Sequence, residues 1–98
     1  MKKFADNIAH IDAHYTHTPT AFKNGEQYNS AQENQGSAKI FAFAHLNQLT
    51  EQQTLELFAE HYDSVIADPT GTAHQNIRQF LKHGWQGINF EGQALTKK

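Results

Sequence analysis

Cysteine is missing from all 98 residues, which excludes disulfides and thiolate metal sites and leaves no redox clue to compartment. No apolar run approaches the ~20 residues that a membrane-spanning helix needs. Met1-Lys2-Lys3 leads into no apolar signal core. A soluble, cytoplasmic protein is therefore expected, with no membrane partner. Excess positive charge is lacking too. The formal charge is −2, and a general nucleic-acid binder needs a basic face. Lysines cluster only at the two ends, Lys2–Lys3 and Lys97–Lys98, and Arg78 is the single arginine. Serine is scarce, and Ser30, Ser37 and Ser64 each have a turn, cap or surface reading. Nothing matches a phosphate loop, a dinucleotide fingerprint or a nucleophile elbow.

What is present is aromatic, amide-rich and histidine-rich. The chain holds seven Phe, three Tyr and one Trp, each able to bury roughly 150–250 Å² in a small core. At this length one domain over residues 1–98 is expected, with a radius of gyration of about 13 Å. Protonating all seven histidines would carry the formal charge of −2 to +5, and unperturbed histidines titrate near pH ~6.5. The plainer reading of that number is incidental surface histidine, ahead of a pH sensor.

Ser37–Leu49 is apolar nearly all round when wound as a helix, with Ile40, Ala44, Phe41, Phe43 and Leu46 spread over three sides. Such a helix belongs in the core, so 37–48 is predicted as the central, most buried element, with Ser37 as its N-cap. Phe4, Ile8, Ile11 and Tyr15 repeat at helical spacing and predict a helix over 4–15. Thr18-Pro19 then forces an extended path. Asn24-Gly25 between short runs signals a hairpin, with Phe22 and Tyr28 as its packing residues. Thr50 and Gln53 form a capping-box pattern. It opens a stripe of Leu55, Phe58, Ala59, Tyr62, Val65 and Ile66, predicting a helix over 51–67. A second such pattern, Thr72 and Gln75, opens a helix over 73–83 that carries Ile77, Phe80 and Leu81 inward. Gly84 is its left-handed stop. Residues 87–95 read as a tail that pairs with the 20–29 ribbon in one small sheet. The fold class is α+β, with about four helices.

Two groups of residues invite chemistry. His10 and His14 stand four apart, with His17 just beyond, a spacing that could share a metal but is better explained as a wet helix face. No metal site or cofactor is expected there. The stronger candidate is His74, Asn76 and Arg78 at the start of the last helix. Free amides there favour an anion, Arg78 could clamp a carboxylate or phosphate, and His74 is the available acid or base. Lys39, in the first turn of the central helix against the helix dipole, is a second cation for the same ligand. The plain alternative has His74 and Asn76 bonding a loop, Arg78 pairing with a glutamate and Lys39 reaching solvent.

Several stretches together resemble one family. They are Gly36-Ser37-Ala38-Lys39-Ile40-Phe41-Ala42-Phe43-Ala44, Gly71-Thr72-Ala73-His74-Gln75-Asn76-Ile77-Arg78, Gly84-Trp85, Gly87-Ile88 and Thr18-Pro19-Thr20-Ala21-Phe22-Lys23-Asn24-Gly25. The combination is similar to the HopJ (HopPmaJ) type III effector family from about Phe4 to Leu95. Many relatives have cysteine where this chain has Ala38, so no cysteine-based activity is expected, and relatives often carry a further helical segment before Phe4. The resemblance implies a small α+β domain and brings no catalytic residues with it. Its name implies secretion, whereas a helix pattern from Phe4 leaves almost no unstructured leader, so a cytoplasmic place is expected unless the effector label holds. The leading expectation is a monomeric, non-enzymatic interaction protein with an unknown protein partner. The alternative is a domain, open to enzymatic use, that binds a small anionic ligand through His74, Asn76, Arg78 and Lys39.

Overall fold

The computed structural model describes residues 3–98, so Lys2 of the N-terminal lysine pair lies outside the described residues. Its Cα radius of gyration, 12.5 Å, agrees with the size expected of the chain. Phe4–His14 forms α1. The Phe4 N–H donates to the Glu60 carboxylate at 2.7 Å, and the Lys3 N–H to Asp6 at 3.0 Å, so the helix start is satisfied from two directions. α1 stops one residue before the expected Tyr15, because Tyr15–His17 extends as β1 and pairs antiparallel with Leu95–Lys97, β5.

Phe22–Asn24 (β2) and Gln27–Asn29 (β3) make the expected hairpin, with Gly25 at φ 60° in its turn. Phe22 is fully buried, but Tyr28 is 56% exposed and does not pack as expected. The two residues lie on opposite faces of the pleat because Phe22 pairs with Asn29, not with Tyr28. Ile88–Phe90 (β4) joins the other edge of β2, giving the order β3-β2-β4. The tail was expected to serve one sheet. It serves two, since β5 leaves β4 to join β1.

Gln35–Leu46 forms α2, the central helix, and buries Ala38, Ile40, Phe41 and Ala44 completely. Phe41 is the hub, with ring centroids 5.3 Å from Phe58, 5.0 Å from Phe80, 6.1 Å from Phe22 and 6.5 Å from Trp85. The helix begins two residues before Ser37, which is therefore not its cap. Asn34 holds the cap position in a left-handed conformation, and its amide donates to Asn29 Oδ1 at 2.7 Å. Gln35 fixes that earlier start. Its Oε1 accepts from the Thr20 N–H at 3.0 Å, and its Nε2 donates to the carbonyls of Thr20, Ser30 and Glu33.

The expected helix over 51–67 is two helices, Glu51–Glu56 (α3) and Glu60–Ala67 (α4). The Thr50–Gln53 capping box forms as expected, at 3.0 and 2.9 Å. The break is at Ala59, at φ 52° and ψ −120°. With neither glycine nor proline at the break, tertiary contacts impose it. Leu55 and Phe58 enter the core on one side, while α4 turns to bring Glu60 onto the Phe4 N–H. Ile66, read from the sequence as part of the buried stripe, is 57% exposed as a result.

Gln75–His83 forms α5, which buries Asn76, Ile77 and Phe80 and leaves Leu81 46% exposed instead of inward. The second capping box does not form. Gln75 Nε2 donates to the Thr72 carbonyl at 2.7 Å instead, and His74 takes the cap position at φ 58°. Gly84 ends α5 at φ 62°, followed by a 3-10 turn over Gly84–Gly87. Trp85, partly buried, sets its ring edge-on to Phe80 at 5.1 Å and covers the junction between α2, α5 and β4.

Candidate functional site

Two helix starts meet at one concavity. A cavity of about 410 Å³ is lined by Asn34, Gly36 and Ser37 from α2 and its cap, and by Thr72, His74, Gln75, Asn76 and Ile77 from α5 and the turn before it. Phe4 of α1, Phe58 in the break between α3 and α4, and His61 of α4 complete the wall. Ala38 donates to the Asn34 carbonyl, and Ile77 and Arg78 donate to the His74 carbonyl. That leaves the earlier amides of each first turn, at Gly36, Ser37, Gln75 and Asn76, with no hydrogen-bond partner among the described residues. Such amides point out of the helix start and carry the positive end of its dipole. Neither cap residue spends a side-chain oxygen on them.

The imidazoles of His61 and His74 face each other in this wall, with ring centroids 4.8 Å apart and planes tilted by 34°. His61 also meets the Phe4 ring edge-on at 4.8 Å. Among the described residues neither imidazole takes part in a hydrogen bond of the kind that holds His14 to the His10 carbonyl at 2.9 Å. His74 titrates below the ordinary histidine range. Desolvation at the cavity wall is the main cause, followed by the positive charges of His61 and Arg78. No carboxylate is among the lining residues, so the titratable groups of the wall are these two rings.

The four residues picked out in the sequence do not come together. His74 and Asn76 share the cavity, but the Asn76 side chain is committed below it. Its Oδ1 accepts from Asn24 at 3.0 Å and Asn29 at 3.1 Å, and its Nδ2 donates to Asn29 Oδ1 at 3.0 Å. This buried amide cluster ties α5 to the β2–β3 hairpin. Arg78 turns away. Its guanidinium donates to the carbonyls of Ala73, Asp68 and Pro69 at 2.6, 2.9 and 3.3 Å and borders a separate hollow beside Pro69 and Leu81. It closes the loop before α5, and its partners are carbonyls, not the glutamate considered from the sequence. Lys39 Nζ pairs with Asp12 Oδ1 at 2.8 Å, joining α2 to α1. His61 is the residue that sequence reasoning missed. It stands thirteen positions before His74, on a helix whose break was not foreseen, and only the total number of histidines hinted at it.

The N-terminal histidines stay apart from this cavity. His10 and His14 stack at 4.4 Å, while His17 bonds Gln35 Oε1 at 3.1 Å. No group of three or more His, Asp or Glu among the described residues is placed to hold a metal ion. No described helix is long and apolar enough to cross a membrane.

The crystal structure of VPA0580, a protein of unknown function, superposes with a TM-score of 0.96 at 47% sequence identity. The match covers 98% of this chain and 81% of that one. No curated protein matches the chain. The family model described as HopJ type III effector protein matches residues 1–95. With almost the whole chain matched, cap to tail, the protein belongs to the HopJ family.

Proposed function

We propose that this HopJ protein is a ligand-binding domain whose ligand is a small anion, a carboxylate or a phosphate or sulfate ester. The observation that carries this reading is the convergence of two helix starts and two imidazoles on a cavity without a carboxylate. Partial positive charge from both dipoles, four donor amides and a wall of Phe4 and Phe58 suit a ligand with an anionic head and an apolar remainder. Of the residues first considered, His74 serves through its ring and Asn76 through its backbone amide. Arg78 and Lys39 serve indirectly, by holding the loop and the α1–α2 contact. A thermal-shift screen of anionic metabolites tests this. A true ligand at 100 times its dissociation constant stabilises by about 2.7 kcal/mol, and His74→Gln should reduce that gain. Stabilisation undiminished by both His61→Gln and His74→Gln would refute the site.

A second reading, an interaction protein that docks a partner peptide, is favoured by a different face. An apolar hollow of about 400 Å³ lies between Leu46, Trp85, Ile88, Phe90 and Leu95. β4 is an edge strand. The bonds from Gly25 to Gly87 and from Glu91 to Ala21 fix its register on β2. In that register the backbone groups of Phe90 face away from β2, open to an added strand. Pull-down from the source bacterium, compared with a Trp85→Ala and Leu46→Ser variant, tests it. Equal capture by wild type and variant would contradict it.

A further inference from the structure

We propose that the cavity takes up a proton together with its anion, so that the His61–His74 pair sets affinity by pH and selects dianions over monoanions. This rests on the anion-binding reading above. The geometry carries it. Two rings 4.8 Å apart cannot both be charged cheaply without a counter-charge. Neither ring makes an ion pair with a carboxylate among the described residues. One carboxylate is near enough to be felt. From α4, Glu60 interacts with the His61 charge, but its oxygen is engaged by the Phe4 N–H and it does not line the cavity, and Asp63 is exposed outside the wall. From α1, Lys3 precedes the wall residue Phe4, and its N–H engages Asp6. Ahead of α2, Glu33 accepts from the Ser30 N–H. From α5, Arg78 serves the Asp68–Ala73 loop carbonyls and adds only positive charge.

An arriving dianion supplies counter-charge and lets His74 carry a proton that desolvation and the charges of His61 and Arg78 disfavour in the empty cavity. By linkage, an anion that raises the pKa of the pair must itself bind more tightly where the pair is protonated. A carboxylate ligand offers one charge to two rings. A phosphate monoester offers up to two and is the better match, whereas a sulfate ester, like a carboxylate, offers one.

Sulfate is the probe, because it stays a dianion throughout the range in which histidine titrates. Its affinity for the whole chain is measured by titration between about pH 5.5 and about pH 8, the window around the ordinary histidine pKa. If one proton is taken up, affinity falls by about tenfold per pH unit above the pKa of the free pair. The ring-proton resonances of His61 and His74 should also titrate at higher pH when sulfate is present. His61→Gln and His74→Gln should each flatten the slope. His10→Gln, on the far flank of α1, should leave it intact. Sulfate binding that does not vary with pH would overturn the coupling and leave the anion site standing. Failure of sulfate, inorganic phosphate and small carboxylates to bind at any pH would remove both.

Discussion

Gly84 stands at φ 62° and ψ −154°, a region open essentially to glycine alone. A side chain there would also land against the Glu51 carboxylate, the flexible end that accepts from the Trp85 N–H at 3.3 Å. That clash is with a movable carboxylate, so backbone strain dominates. Gly84→Ala should cost about 1–3 kcal/mol in urea denaturation. Trp85→Ala should cost about 3 kcal/mol, the low end for a buried aromatic, because the ring is only partly covered and faces the groove. Unchanged urea midpoints for that variant, with water-quenched emission in wild type, would make Trp85 a surface anchor alone. His74 carries a pH prediction. Its pKa is lowered in the folded chain, so the unfolded chain binds the proton first. The stability contributed by the neutral ring is complete above about pH 6.5 and is lost as pH falls through the folded value. The thermal midpoint of wild type should therefore fall relative to that of His74→Gln on acidification. A wild-type midpoint that rises relative to the variant as pH falls would contradict the lowered pKa.

At the scale of elements, periodicity was a good guide to existence and a poor one to ends. Ile40, Phe41 and Ala44 announce the buried central helix by their spread around the axis, and the Asn24-Gly25 turn announces its hairpin. Thr50–Gln53 is a cap because both partners are local. Ser37 and Thr72 have equally good local credentials and do not cap. Gln35 and the buried Asn24–Asn29–Asn76 cluster bind the helix starts across the chain, and no window of sequence contains those partners. The α3–α4 break hides for the same reason. Ala59 holds φ 52° only because its neighbours fix both flanks. Glycine takes that conformation freely, so Ala59→Gly should stabilise by roughly 1 kcal/mol, relief of strain outweighing the entropy gained by the unfolded chain. A lower thermal midpoint for Ala59→Gly would show that the backbone there is not strained.

On the scale of the whole molecule, the chain arranges its cover of Phe41 so that α2 and α5 start at the same place. His61, on the redirected α4, then meets His74. None of the three is visible in sequence spacing, which is why Arg78 and Lys39 looked like site residues and His61 did not. The central claim is that this meeting point binds a small anion. Titration of the isotope-labelled chain with inorganic phosphate, followed by NMR at the backbone amides and imidazole protons, tests it most directly. The account predicts saturable shifts confined to the amides of Gly36, Ser37, Gln75 and Asn76 and to the rings of His61 and His74. Shifts that appear instead around Arg78 or Lys39, or that never saturate, would contradict it.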